Sequence, residues 1–131
     1  MSIKGKYRQT LGNYGEKMAL EFLQKNNYLF VEKNFKFSKC GEVDIIAWDN
    51  DSLCFIEVKT RSSIRFGRPS ESVTYKKQKK IRNLAQIFIN NNDLHLKKIR
   101  FDIVEVLVEK TFLKVDLNYV IKNINLIKNA F

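Results

Sequence analysis

The chain has 131 residues, a mass of 15.5 kDa, 44% hydrophobic residues and a formal net charge of +10. This length suits one domain with its own core and leaves little room for a second, and the hydrophobic content argues against a disordered chain. Since no apolar run approaches the roughly 18 residues of a membrane span and no signal-peptide core is visible, we expect a cytoplasmic protein without a membrane partner.

Hydrophobic spacing predicts a helix over residues 10–26, an aromatic-rich strand over 28–37, and two strands over 42–48 and 53–59 that are joined by a tight turn. An exposed loop follows over 62–72, then a helix over 74–91 and a closing pair of strands over 99–108 and 112–117. The C-terminal tail carries no clear pattern. We therefore predict a flexible tail over 1–9 and one α/β domain over 10–131, with a mixed central sheet flanked by helices.

The cysteine and histidine counts exclude several kinds of site. Cys40 and Cys54 cannot make a disulfide framework or a four-ligand zinc site. With His95 as the only histidine, a metal site built on a histidine pair is excluded, and Ser-His-Asp or Cys-His catalysis is disfavoured.

The hairpin formed by the strands over 42–48 and 53–59 carries the candidate site. Its alternation predicts one apolar core face, made of Val43, Ile45, Ala47, Cys54, Ile56 and Val58. The charged end of the opposite face holds Glu42 and Asp44 on one strand and Glu57 and Lys59 on the other. If Asp49 pairs with Ser52 across the turn, Asp44 faces Glu57 and Glu42 faces Lys59.

Two opposed carboxylates lie about 4.5–5.5 Å apart between their Cβ atoms and repel each other unless something neutralises them. Mg²⁺ (or Mn²⁺) does so well, because it prefers oxygen ligands, and Lys59 is placed to hold a phosphate oxygen or an attacking water. Two acids, a cation and a lysine suit phosphodiester hydrolysis. The alternative is a solvated face with a Glu42–Lys59 pair, and a register slip of one residue would move the acids to the other face.

At these residues the sequence resembles the YraN-like family of small bacterial proteins. The resemblance begins with Gly12-Asn13-Tyr14-Gly15-Glu16, Gly41-Glu42-Val43-Asp44-Ile45-Ile46-Ala47 and Phe55-Ile56-Glu57-Val58-Lys59-Thr60-Arg61. It continues through Phe66-Gly67-Arg68-Pro69, residues 76–80, Arg100-Phe101-Asp102 and Asn129-Ala130-Phe131, and so covers nearly the whole chain. That family looks like a branch of the PD-(D/E)xK nuclease superfamily, whose restriction-endonuclease-like core is similar to archaeal Holliday-junction resolvases.

The resemblance implies a role for five residues. Asp44 matches the metal-binding acid, Glu57 the second acid and Lys59 the catalytic lysine. Glu16 matches a helix-borne acid, and Gln78 stands where related nucleases often place a polar helper. The proline that commonly precedes the metal-binding acid is absent here. From the residues alone, Glu16 could equally be an acid favoured by the helix dipole, and Gln78 a surface residue.

The positive charge is concentrated in residues 61–100, which hold eleven basic and two acidic side chains and thus +9 of the +10. This stretch predicts a phosphate-binding surface beside the site, made of Arg61, Arg65, Arg68, Lys76, Lys79 and Lys80. The alternatives are a background richness in lysine and a merely solvated helix face.

These observations favour a Mg²⁺-dependent nuclease that acts on DNA, with branched or junction DNA as the implied substrate. A nuclease-fold module that binds nucleic acid with little turnover is the alternative, and an adaptor for an acidic protein is a third reading. Cleavage of a junction would favour a homodimer, and the sequence does not distinguish DNA from RNA.

Overall fold

The structure is a computed structural model, and it describes residues 10–62, 73–95, 97–112 and 117–131. The elements in chain order are α1 (Leu11–Lys25), β1 (Leu29–Lys36), β2 (Glu42–Asp49), β3 (Ser52–Arg61), α2 (Tyr75–Asn91), β4 (Lys98–Phe112) and β5 (Leu117–Ile127). The five strands form one sheet in the order β1-β2-β3-β4-β5. Strands β3 and β4 are parallel, the other neighbours are antiparallel, and α2 lies in the connection between the parallel pair. The predicted α/β class with a mixed sheet is confirmed. The predicted tail over 1–9 lies outside the described residues.

The two helices cover opposite faces of the sheet. Leu23 of α1 packs in one hydrophobic cluster with Ile56 of β3, whereas Leu84 of α2 packs in a second cluster with the adjacent Phe55. Neighbouring side chains on a strand point to opposite faces, so each helix has its own side of the sheet. Neither α1 nor α2, the helices of the described ranges, is long and apolar enough to span a bilayer.

The hairpin of β2 and β3 has the predicted register from the Asp49–Ser52 pair to the Ile45–Ile56 pair. The predicted apolar face is wrong at its far end, because Val43 packs in the cluster on the α2 side while Ile45 packs on the α1 side. The ladder ends between these two residues. There, Asp44 accepts a hydrogen bond at 2.8 Å from the Val58 backbone N–H, so a side chain replaces the next ladder bond and the alternation is broken.

The final strand lies later in the chain than predicted. Strand β4 continues through Phe112 and β5 runs from Leu117 to Ile127, so the strand predicted over 112–117 is wrong. The register shifts opposite Val108, where β5 contains one extra residue. Because of this bulge, Ile121 and Ile124 pack against the same cluster although they are three positions apart. Because the extra residue interrupts the alternation of buried and exposed side chains, the sequence pattern of β5 does not predict a strand.

Helix α1 is fixed closely against the sheet. Its first turn is capped by Thr10, whose hydroxyl accepts a hydrogen bond from the Asn13 N–H at 3.1 Å. One turn later, a Cβ added to Gly15 would lie only 1.7 Å from Thr60 Oγ1 of β3. Glycine is therefore needed for this close approach, which places the next residue, Glu16, beside the end of β3.

A buried ionic cluster joins the hairpin end of the sheet to the C-terminus. Asp102 of β4 is 0% exposed and accepts two hydrogen bonds from the Arg100 guanidinium, both at 2.8 Å. Arg100 also donates to Asp49 at 2.8 Å, and the Asn129 backbone N–H donates to Asp102 at 2.9 Å. The bond to Asp102 raises the pKa of Arg100 above its usual value. These contacts give Asp102 a structural role at the end of the sheet where β2 turns into β3.

Candidate functional site

Three carboxylates meet where β2 begins. Glu16 of α1 and Glu42 and Asp44 of β2 each offer an oxygen atom, and these oxygens all lie within 4.8 Å of one another. Each residue is half-buried. Among the described residues, Glu57 is not a member of this carboxylate group. The structure thus brings the predicted Glu16 and Asp44 together and adds Glu42, which was not among the predicted site residues.

Asn34 of β1 joins the carboxylate group from the neighbouring strand. In the amide orientation that satisfies both acids, its nitrogen lies 2.9 Å from Glu42 Oε1 and 3.0 Å from Glu16 Oε1. The backbone of Asn34 is left-handed, with φ of 56°, a conformation that asparagine tolerates better than most residues. Sequence reasoning missed this residue, because the pairing of β1 with β2 is not fixed by a short turn.

Negative charge accumulates at Asp44. Burial raises the pKa of Asp44 to about 7, the charge of Glu57 adds to this rise, and the hydrogen bond from Val58 opposes it. Burial and the charge of Glu42 also raise the pKa of Glu16. These shifts mean that the site, without a bound cation, holds more negative charge than its surroundings stabilise.

Glu57 is compensated by two lysines. Its side chain is 5% exposed, and its Oε1 atom lies 3.5 Å from the Lys59 ammonium and 2.5 Å from that of Lys77 on α2. Burial, together with the neighbouring Lys77, lowers the pKa of Lys59, whereas the bond to Glu57 raises the pKa of Lys77 against the effect of burial. The alternative Glu42–Lys59 pair is wrong, since Glu42 pairs with Lys36 at 3.3 Å.

Sequence reasoning missed Lys77, although a signal was present. Lys77 precedes Ile81 by four residues and Leu84 by seven, and therefore continues the buried stripe of α2 toward the sheet. The predicted phosphate-binding surface included Lys76, Lys79 and Lys80 of this helix, and no role was predicted for Lys77.

Gln78 has a local contact at the start of α2. Its amide nitrogen donates to the Val73 carbonyl at 3.0 Å, and the side chain is half-buried. No contact between Gln78 and the carboxylate group is found among the described residues, so its predicted role as a polar helper stays a prediction.

The predicted basic surface is described in part. Lys76, Lys79 and Lys80 are exposed on the first turns of α2. Arg61, at the end of β3, is half-buried, and among the described residues its buried Nε atom has no hydrogen-bond partner. Arg65 and Arg68 lie outside the described residues.

A comparison with models of known protein families identifies the family of this chain. Residues 15–106 match the model of a family described as "Uncharacterised protein family UPF0102". The chain belongs to the UPF0102 family. The matched region includes the carboxylate group and the Glu57–Lys59–Lys77 cluster, and the resemblance to YraN-like proteins is confirmed at this level.

The similarity to individual UPF0102 proteins extends over nearly the full chain. A UPF0102 protein of Acetivibrio thermocellus is 45% identical over 124 residues, which cover 95% of this chain and 92% of that protein. One from Caldanaerobacter subterraneus subsp. tengcongensis is 42% identical over 124 residues, covering 95% and 96%. A third, from Clostridium botulinum, is 43% identical over 122 residues, covering 92% and 93%.

Proposed function

We propose that this UPF0102 protein is a Mg²⁺- or Mn²⁺-dependent nuclease of the PD-(D/E)xK type, which hydrolyses phosphodiester bonds in DNA. The observation that carries the proposal is the position of Asp44. Its carboxylate lies in a group with Glu16 and Glu42, and it is also hydrogen-bonded to the backbone of β3 between Glu57 and Lys59. Acids from α1 and β2 thus adjoin the strand that carries Glu57 and Lys59.

The residues fit a hard divalent cation. The group offers only carboxylate oxygens, which Mg²⁺ and Mn²⁺ accept. Burial, and after it the charge of Glu57, raises the pKa of Asp44, so a bound cation would stabilise the charged carboxylate. We assign Asp44 as the central ligand, with Glu16 and Glu42 beside it and Glu57 as the second acid that the superfamily resemblance implies. Such a cation would polarise the phosphate and supply hydroxide near neutral pH.

Lys59 is suited to act on the reacting groups. It follows Glu57 by two residues on β3, its side chain is 20% exposed, and its pKa is lowered. We propose that its ammonium group holds the attacking water or a phosphate oxygen. Its distance of 3.5 Å from Glu57 is loose enough for the lysine to exchange this contact for one with substrate.

The exposed lysines of α2 support nucleic acid as the substrate. We propose that the protein acts in the cytoplasm on DNA and prefers branched or junction DNA. Cutting both strands of a junction would need two sites and hence a homodimer. A second function is favoured by one observation: the Lys77 ammonium forms an ion pair with Glu57 and so compensates the charge of this acid. That arrangement also suits a nucleic-acid-binding module with little turnover.

A substrate panel tests the proposal. The full chain is incubated with single-stranded, duplex, flapped and four-way-junction DNA and with matched RNA, in Mg²⁺, in Mn²⁺ and in EDTA. We expect a metal-dependent cut in at least one branched DNA and none in EDTA. Binding without cleavage across the panel would favour the binding module, and absence of both would contradict a role on nucleic acid.

Replacing Lys77 by methionine is expected to strengthen Mg²⁺ binding by about tenfold. The Lys77 ammonium forms an ion pair with Glu57 and is attracted by the charge of Asp44, so a cation that binds at these carboxylates must compete with it. A unit charge at ~4 Å is worth about 1–4 kcal/mol at the relevant dielectric constants. The measurement is calorimetric titration at pH 8.5, where protons no longer compete for Asp44.

Lys79→Met is the matched control, because Lys79 is on the exposed part of the same helix. Its Mg²⁺ affinity should stay within about twofold of the wild type, as expected for a distant, solvated charge. Equal affinities for Lys77→Met and the wild type would show that the ion pair does not oppose metal binding.

A further inference from the structure

A cleft opens on the α1 side of the sheet, beside the carboxylate group. It has a volume of about 390 Å³ and lies between α1 and the strands β1 and β2. Glu16 and Asp44 form its acidic part, and Lys17 and Lys33 are the cations of its lining. Both lysines are exposed, and within the described ranges neither forms an ion pair. The charge of Lys33 partly offsets the rise that burial causes in the pKa of Glu16, but among the described residues a ligand would have no ion pair to break at either ammonium group.

A second cleft opens at the start of α2. Its volume is about 350 Å³, and its lining includes Glu42 together with Lys76, Lys77 and Lys80. Lys77 is engaged with Glu57, whereas Lys76 and Lys80 are exposed and, in the part of the chain that is described, have no ion pair. Because α1 and α2 cover opposite faces of the sheet, the two clefts lie on opposite faces as well.

The carboxylate group connects the two clefts. Glu16 and Asp44 line the first cleft and Glu42 lines the second, although their oxygens are within 4.8 Å of one another. The order of charges across this end of the sheet is thus lysines, carboxylates, lysines. Only the lysines of the second cleft belong to the basic stretch over 61–100, so the first pair is not visible in the charge distribution of the sequence.

We propose that a nucleic-acid strand crosses the beginning of β2 from one cleft to the other, with Lys17 and Lys33 binding its phosphates on the side opposite α2. This inference rests on the proposed function, since it describes how the same site holds its substrate. A phosphate placed at the carboxylates is repelled by them, and cations on one side alone would draw the backbone away from the site. Cations on both sides keep the scissile phosphate between them.

The test is binding of DNA by a Lys17→Gln/Lys33→Gln double variant. The probe is the branched DNA bound by the wild type, observed by fluorescence anisotropy in EDTA at 50 to 300 mM salt. Loss of two phosphate contacts should weaken binding about tenfold at low salt and reduce the slope of log K against log salt by about 2. Lys97→Gln/Lys122→Gln, which removes two exposed lysines from elsewhere, should change neither quantity appreciably.

The outcomes separate this inference from the proposed function. The two-cleft path would be overturned if Lys17→Gln/Lys33→Gln bound DNA as well as the control while Lys76→Gln/Lys80→Gln bound it more weakly. The proposed function would stand in that case, with the DNA bound on the α2 side alone. A wild-type protein with no salt-dependent DNA binding would overturn both.

Discussion

Asp44→Asn should lower the rate of Mg²⁺-dependent DNA cleavage by about a thousandfold or more. The substitution keeps the size of the side chain and an oxygen that can accept the Val58 N–H, which is bound at 2.8 Å. It removes the negative charge that Asp44 contributes to the carboxylate group and that a bound cation would need. Metal-assisted stabilisation is worth several kcal/mol, and each 1.36 kcal/mol corresponds to a tenfold change in rate. The measurement is single-turnover cleavage with enzyme in excess.

Asp51→Asn provides the control. Asp51 is a 72% exposed carboxylate in the hairpin turn that pairs with Lys98, and its removal should leave the rate within about twofold of the wild type. If Asp44→Asn kept more than a tenth of the wild-type rate while remaining folded, Asp44 would not be the central ligand.

The pH dependence of the wild type gives an independent check on Asp44. Its carboxyl group, with a pKa raised to about 7, must lose a proton to bind a cation, so Mg²⁺ affinity should rise with pH and level off above about 8. Stability should change in the other direction. Because the folded, metal-free chain holds this proton more tightly than the unfolded chain, the free energy of unfolding gains a contribution at low pH that is lost as the pH rises through about 7. Asp44→Asn should remove that contribution.

Asp102→Ala should lower the free energy of unfolding by about 3–5 kcal/mol, because it removes two charge-assisted hydrogen bonds, each worth about 1.5–3 kcal/mol. Arg100, whose side chain is 19% exposed, loses both bonds to Asp102, and the Asn129 N–H loses its acceptor. Urea denaturation at pH 7.5 measures the change. Asp51→Ala, which breaks the exposed pair with Lys98, should cost at most about 1 kcal/mol.

A double variant distinguishes an unpaired charge from lost packing. Arg100→Met/Asp102→Leu removes both charges and should be less destabilised than Asp102→Ala, since no buried ion is left alone. A cost below about 1 kcal/mol for Asp102→Ala would mean that the existing contact with Asp49 is enough to compensate the charge of Arg100.

The sequence predicted those parts of the fold that depend on a short turn or on the spacing of apolar residues within one element. The tight turn between Asp49 and Ser52 fixes the hairpin register, and the two amphipathic helices carry clear apolar stripes. The position of Asp44 at the end of that register followed from the turn. The change of face at Val43 did not, because it depends on a hydrogen bond between a side chain and the backbone of another strand.

Non-local contacts account for what the sequence did not reveal. Asn34 reaches the site only through the pairing of β1 with β2, and Lys77 reaches Glu57 only because α2 lies over that part of the sheet. The extra residue in β5 hid the last strand from a search for alternation. Lys77 depends on an element distant in sequence, whereas Asn34 and the extra residue of β5 depend on how neighbouring strands pair, about which composition and spacing carry no information.

The contact between Gly15 and Thr60 has a consequence for how the site responds to its substrate. The Thr60 side chain lies directly against the backbone of Gly15, with no room for a Cβ between them, so α1 cannot come closer to β3. This contact limits how close the backbones that carry Glu16 and Lys59 can come. Adjustment to substrates of different shape falls on the long, solvated lysine side chains around the carboxylates, which can swing by several ångströms while the acids keep their places.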